Sequence, residues 1–286
     1  MAHERLGRRT VDYAPVQYPG VRLSFRGPAP DLRHGYVACM GGAETFGSCV
    51  EAPWPALLER QTGLGCLNLG VPNAGPDLWL APGGPLPLAQ GARAVVLQLP
   101  SAVNLSNPFY TVHPRRNDRF LRAMPALARL YPEVDFTEFH FTRHLIHHLH
   151  SRAPARFEQL RAALMRAWIG RMTALLDRLA PPVIVLGLAR RAPGEGADRA
   201  DTFDDPAPVS RAMLDRIAPR AAATVIATIP AMVDEPGPRA PGPMEQAVAT
   251  ALPGPRAHQA VAQALRPILA GILDEKKGPR DAQALP

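Results

Sequence analysis

Five short apolar, β-rich runs constrain this chain more than any other feature: residues 36–40, 66–69, 94–99, 183–187 and 224–229. A strand with one wet face alternates apolar and polar residues, so continuous runs of this length belong to strands covered on both faces. Stretches of helical period separate them. The alternation predicts a three-layer α/β/α sandwich around a five-stranded parallel sheet, flavodoxin-like in outline. Ligands in such sheets bind beyond the carboxyl ends of the strands, so the residues that follow each run carry the functional interest.

Helices are expected over residues 54–62, stopped by Gly63; 117–130, stopped before Pro132; 157–179, with Leu160, Leu164, Trp168, Met172, Leu175 and Leu179 at helical spacing; 209–217; and about 256–273, where Pro267 is a candidate kink. Residues 104–152 exceed what a minimal sandwich needs between its third strand and the long helix, and read as a helical cap over the strand ends. One domain then covers residues 31–273. Residues 1–30 read as a weakly ordered lead segment and 274–286 as a flexible tail, with loops dense in Gly, Pro and Asp at 189–208 and 234–243.

The first run breaks into Gly41, Gly42, Ala43, Glu44, Thr45, Phe46 and Gly47, a turn in which Thr45 and Ser48 read as caps for the following helix. After the second comes a turn from Gly70 through Asn73 to Gly75. It either aims backbone N–H groups at an anion or simply needs a glycine at positive φ. Asn104 follows the third run, and His258 stands at the start of the last helix. In the cap, His113, Pro114, Arg115 and Arg116 form a turn whose planar, permanently charged forks suit a phosphate, sulfate or carboxylate. The alternative is that these arginines pair with Asp118 or Glu133 and hold the cap together. His140, His144 and His147 or His148 share one helical face near Glu138. One continuous helix does not easily supply tetrahedral ligands, so cap packing competes with metal binding, and neither a metal nor a cofactor is expected.

These blocks resemble those of the SGNH/GDSL hydrolases, with Ala43 where those enzymes carry the nucleophilic serine and Gly42 at the adjacent aspartate position. The resemblance implies an SGNH-like core in which the turn holding Gly42, Ala43, Gly70 and Asn73, together with Asn104, forms an oxyanion hole. It also implies His258 as general base, with Pro255 where the orienting aspartate would stand. A methyl group cannot attack a carbonyl. The implied activity is therefore that of a degenerate hydrolase or group transferase acting on an acyl, glycosyl or sulfated small molecule, with His258 activating water or a substrate hydroxyl. Its alternative is a catalytically inactive pseudoenzyme serving as a ligand- or partner-binding module. Residues 104–120 and 133–144 further resemble a bacterial domain-of-unknown-function family, DUF6473, found mainly in alphaproteobacteria. That likeness implies that the cap with His113, Arg115, Arg116 and Asp118 is a shared feature of that group; the anionic-substrate role of His113, Arg115 and Arg116 is read from the chemistry of their turn.

A net charge of +7 raises the question of nucleic acid. The only lysines are Lys276 and Lys277, and the arginines are spread along the chain without interleaved aromatics, so a small anionic molecule is the expected partner instead. No run approaches the roughly 18 apolar residues that span a bilayer, and the first residues lack the apolar core of a signal peptide, which predicts a cytoplasmic protein with no membrane partner. Cys39, Cys49 and Cys66 read as reduced thiols. Oligomeric state has no signature in the sequence.

Overall fold

Each of the five apolar runs is a strand of one parallel sheet. The computed structural model describes residues 11–189, 199–200, 206–228 and 252–275. It opens on a small hairpin, β1 (Val16–Gln17) and β2 (Ser24–Phe25). The sandwich proper begins with β3 (Tyr36–Gly41), α1 (Ala43–Phe46), α2 (Trp54–Thr62) and β4 (Gly65–Gly70). Then come α3 (Pro76–Leu80), α4 (Leu86–Gln90) and β5 (Ala94–Gln98). The insertion holds β6 (Tyr110–His113), β7 (Arg116–Ala123), α5 (Pro125–Leu130) and α6 (Thr142–Arg152). After it follow α7 (Pro154–Leu176), β8 (Val183–Ala189), β9 (Arg199–Ala200), β10 (Val209–Ser210), α8 (Arg211–Ile217), β11 (Ala223–Thr228) and α9 (Pro255–Glu275).

The sheet runs β11-β8-β5-β3-β4, all parallel. Counted by order in the chain this is 2-1-3-4-5, the flavodoxin-like doubly wound order. Side chains alternate between its two faces. Ala38, Met40, Leu67 and Leu97 pack with Trp168, Met172 and Leu175 of α7 and with Met213 of α8. Val37, Cys39, Val96 and Ile184 pack with Leu58 of α2 and with Val261 and Leu265 of α9. Full burial of each aliphatic side chain is worth about 2 kcal/mol. Strands with no polar face gain that only when both helical layers are present.

The insertion has its own core, in which Tyr110, Leu127, Tyr131, Leu145 and Leu149 close over Phe157, Leu160 and Leu164 of α7. The same helix grips the sheet end, because the Trp168 indole N–H donates to the carbonyl of Pro100 at 3.0 Å. A helix expected over 117–130 is replaced here by the antiparallel β6–β7 hairpin followed by the short α5. Pro125 is the reason: it lacks an N–H for a helix interior and instead occupies the first turn of a new one. The long helix starts and ends three residues earlier than its periodicity suggests, at Pro154 and Leu176, while α9 continues through Pro267. Val209 and Ser210 form a short strand, and the Ser210 hydroxyl caps α8 by accepting from Met213 N.

Residues 11–30, part of the segment expected to be weakly ordered, instead pack on the sandwich: Phe25 and Arg26 are buried. The loop at 234–243 and most of that at 189–208 lie outside the described residues, as does the tail from 276 onward. No helix among the described residues is long and apolar enough to cross a membrane.

Candidate functional site

At the carboxyl end of β3, Gly42 caps α1 and Ala43 opens it. The group that organises this turn is Gln98, the last residue of β5. Its Oε1 accepts from Gly42 N at 3.2 Å, from Thr45 N at 3.1 Å and from the Thr45 hydroxyl. Backbone N–H groups can only donate, so the amide orientation is fixed and its Nε2 must face outward, where it donates to Glu44 Oε2 at 2.8 Å. Thr45 is fully buried and bonds Gln98 from within α1; α2 begins after Pro53 with no side-chain cap, which corrects the capping roles expected for Thr45 and Ser48. The signal for Gln98 lies in the sequence as the one polar residue within the third apolar run.

The second turn is tied just as fully. Asn68 in β4 donates to Thr45 O at 2.9 Å and accepts from Gly70 N at 3.0 Å. A Cβ on Gly70 would stand 2.2 Å from Phe46 N, so only glycine lets α1 lie against β4. Positive φ falls on Asn73, at 60°, and not on Gly70 or Gly75. Gly75 is required for another reason, since a Cβ there would lie 1.9 Å from the carbonyl oxygen of Asn104. Its N–H donates to Oδ1 of the wholly buried Asn117 at 2.7 Å, and Asn117 in turn donates to His113 O at 3.0 Å. The N–H groups of Gly70 and Gly75 thus bond the side chains of Asn68 and Asn117.

Asn117 and Asp118 seat the cap hairpin on the β4 end of the sheet, for Asn73 Nδ2 donates to Asp118 Oδ2 at 3.2 Å. Burial raises the pKa of Asp118, against the opposing pull of Arg119, Arg116 and His113. On the other side of the cap, Thr142 donates its hydroxyl to Asn104 Oδ1 at 2.8 Å. That bond turns the Asn104 amide so that its carbonyl faces the cap and leaves Nδ2 without a bond to any described residue. His113 Nδ1 accepts from the backbone of Arg115 and of Arg116, each at 3.2 Å, closing the turn that displays both side chains. Arg115 and Arg116 are exposed and form no ion pair among the described residues. Glu133, one carboxylate considered for them, pairs with Arg156 and Arg152, which hold its carboxyl down to about 2.

His258 lies in the first turn of α9, 2% exposed. Its Nδ1 accepts from the backbone N–H of Trp54 at 3.0 Å. An imidazole that accepts at Nδ1 carries its proton on Nε2 while neutral. Burial, aided by the nearby Arg26 cation, holds its pKa down to about 4. Arg26 is itself buried, its guanidinium donating to the carbonyls of Phe46, Gly47, Val50 and Glu51 and lying over the Tyr13 ring. Five donors on one planar group match that set of loop carbonyls without any carboxylate. The ring's only lone pair is thus engaged by Trp54 N, whereas a general base needs a free one facing its substrate.

His140 precedes α6 and is exposed, so it does not share the helical face expected for it, and three histidines of α6 meet aromatic rings. His144 and His148 flank Phe139 at 4.9 and 5.1 Å between centroids, and His150 meets Phe157 at 5.0 Å. Cys39, Cys49 and Cys66 form no disulfide among the described residues, and burial pushes the Cys39 thiol upward. Arg26 and Trp54 escaped sequence reasoning because their partners lie far along the chain, the Trp54–His258 bond joining residues 204 positions apart.

Among solved structures the chain is similar to an acetyl xylan esterase from the rumen bacterium Butyrivibrio proteoclasticus (11% identity, TM-score 0.45, covering 88% of this chain and 67% of that one). It is likewise similar to a family two carbohydrate esterase from Cellvibrio japonicus, with 11% identity, a TM-score of 0.44 and coverage of 88% and 64%. A catalytic mutant of an acetylxylan esterase from Geobacillus stearothermophilus gives 13% identity, a TM-score of 0.38 and coverage of 83% and 94%. The chain thus spans about two thirds of the length of the first two. No curated protein matches it. Residues 1–273, nearly the whole chain, match one family throughout: the chain belongs to the domain of unknown function family DUF6473.

Proposed function

We propose that this chain is a degenerate SGNH-like domain that binds a small anionic molecule at the carboxyl ends of its sheet strands and does not perform serine-type acyl or glycosyl transfer. The bond from Trp54 N to His258 Nδ1 carries the reading. A serine-type reaction needs a hydroxyl and a base with a free lone pair, and this chain offers a methyl group at Ala43 and an imidazole whose lone pair is engaged. Anion binding is supported by Arg115 and Arg116, displayed by a turn bonded to His113 and not drawn into ion pairs among the described residues. Asn104 Nδ2 is the neutral donor proposed beside them, and Gly42, Ala43, Gly70 and Asn73 are assigned the floor of the site. Three cysteines with no disulfide among the described residues support a reducing, cytoplasmic setting.

A second reading rests on Glu44, whose carboxylate is held at the sheet end by Gln98. A carboxylate so placed can activate water without serine or histidine. Assays with short acyl esters and acetylated sugars, run beside thermal melts in sulfate, phosphate and carboxylates, separate the two. The binding reading expects stabilisation without turnover. Turnover lost in Glu44→Gln supports the second reading, and turnover lost in His258→Ala contradicts both.

A further inference from the structure

The cap hairpin loses its regular pairing where it meets the sheet. Val112 pairs with Phe120 and the next residue, His113, with Arg116, so one step along β6 is matched by four along β7. Residues 117–119 therefore bulge from the ladder, a device that re-aims side chains. Two of them reach the sheet end: Asn117 Oδ1 accepts from Gly75 N at 2.7 Å, and Asp118 Oδ2 accepts from Asn73 Nδ2 at 3.2 Å. The Thr142 hydroxyl, bonded to Asn104 Oδ1 at 2.8 Å, lies 3.3 Å from the Asp118 carbonyl oxygen, which brings Asp118 alongside Asn104. Around the carboxylate stand three cationic or titratable groups, His113 from β6 and Arg116 and Arg119 from β7. Arg119 lies over the Phe141 ring, and Arg116 is exposed. Neither forms an ion pair with Asp118 among the described residues. A partly exposed carboxylate and an unpaired guanidinium thus share one edge of the cap.

We infer that the anion bound at this cap carries a hydrogen of its own, as hydrogenphosphate, a phosphate monoester or a hydroxycarboxylate does, and that Asp118 accepts that hydrogen while Arg116 meets the charge. The inference rests on the anion-binding reading above and names the class of anion. An ionised carboxylate offers acceptors only. Beside a bare oxyanion it sets lone pair against lone pair and like charge against like charge. A ligand O–H turns that clash into a charge-assisted hydrogen bond. Asn73 occupies Oδ2 and leaves Oδ1 without a bond to any other described residue, so the carboxylate keeps acceptor capacity for the ligand. Discrimination then comes from the penalty placed on the wrong ligand: sulfate and acetate bring no hydrogen near neutral pH.

Calorimetric titration of the full chain at neutral pH with two matched pairs of anions, phosphate against sulfate and glycolate against acetate, tests this directly. In at least one pair the hydrogen-bearing member should bind about tenfold or more tightly than its counterpart, the worth of one hydrogen bond to a charged group. The pair that shows the preference tells phosphate from hydroxycarboxylate. Asp118→Asn, whose amide donates as well as accepts and carries no charge, should strengthen the weaker member and close most of that gap. Equal binding within both pairs, or a preference for sulfate and acetate, overturns the inference while leaving the anion-binding reading in place. A preference that persists undiminished in Asp118→Asn overturns it too, because another group would then select the ligand. No binding of any of the four anions removes both. Should Asp118→Asn fail to fold, the pair ratios of the unaltered protein decide together with the ¹³C resonance of the Asp118 carboxyl, which should move on binding; an unmoved resonance overturns the inference.

Discussion

The backbone N–H of Trp54 donates to Nδ1 of His258 across 3.0 Å, and that bond sets which nitrogen of the ring carries the proton. It joins the start of α2 to the start of α9 on the same face of the sheet. In a triad the corresponding nitrogen donates to a carboxylate and the other accepts from the nucleophile. Here the polarity of the ring is reversed.

Restoring the missing hydroxyl should therefore not restore chemistry. Ala43→Ser is expected to fold, since the residue opens α1 in a partly exposed position. Its turnover of p-nitrophenyl acetate should stay at the level of the unaltered protein. A rise that disappears again in Ala43→Ser/His258→Ala would show a working base at position 258.

Burial of a neutral histidine makes stability depend on pH with a definite sign. The folded pKa of about 4 lies below the ordinary 6.5, so between these values the unfolded chain binds the proton and the native one does not. Stability is complete above pH 6.5 and falls as pH approaches 4, by about 2.5 kcal/mol between pH 7 and 4.5. Asp118, whose pKa is raised, contributes a slope of opposite sign just above its ordinary range. Urea denaturation across this window, compared with His258→Gln, isolates the histidine: the variant's profile should be flatter. Parallel profiles would contradict the assignment.

Gln98 satisfies two backbone donors and one hydroxyl with one oxygen. Gln98→Leu leaves all three without that acceptor and releases Glu44, and should lower stability by about 3 kcal/mol in urea. A loss under about 1 kcal/mol would mean that the α1 turn is held by other contacts.

Asn73 occupies the left-handed region at a turn where its side chain also bonds Asp118. Asn73→Gly keeps the backbone and should be close to neutral in thermal melts, whereas Asn73→Val should lose about 1–2 kcal/mol. Equal effects of the two substitutions would remove backbone strain as the cause.

The sheet was legible in the sequence because each of its strands is covered on both faces, which leaves an uninterrupted apolar run that local reading detects. The α2 helix was legible to the residue because Gly63 ends it at positive φ. The cap was not. The β7 strand takes its stability from pairing with β6, and nothing in residues 116–123 alone distinguishes that from a helix of similar polarity. Positions of Ala43, Asn104 and His258 could be read from motif spacing, but their bonding could not, since Thr142, Trp54 and Arg26 reach them from distant parts of the chain. The direction of a hydrogen bond at one imidazole nitrogen has no counterpart in a one-dimensional pattern.

The most direct test of the account is calorimetric titration of the full chain and of Arg115→Ala/Arg116→Ala with sulfate, phosphate and short carboxylates. Saturable binding of at least one anion to the unaltered protein, weakened tenfold or more on removal of the two exposed guanidiniums, is the predicted result. Equal binding by both proteins, or none by either, would contradict it.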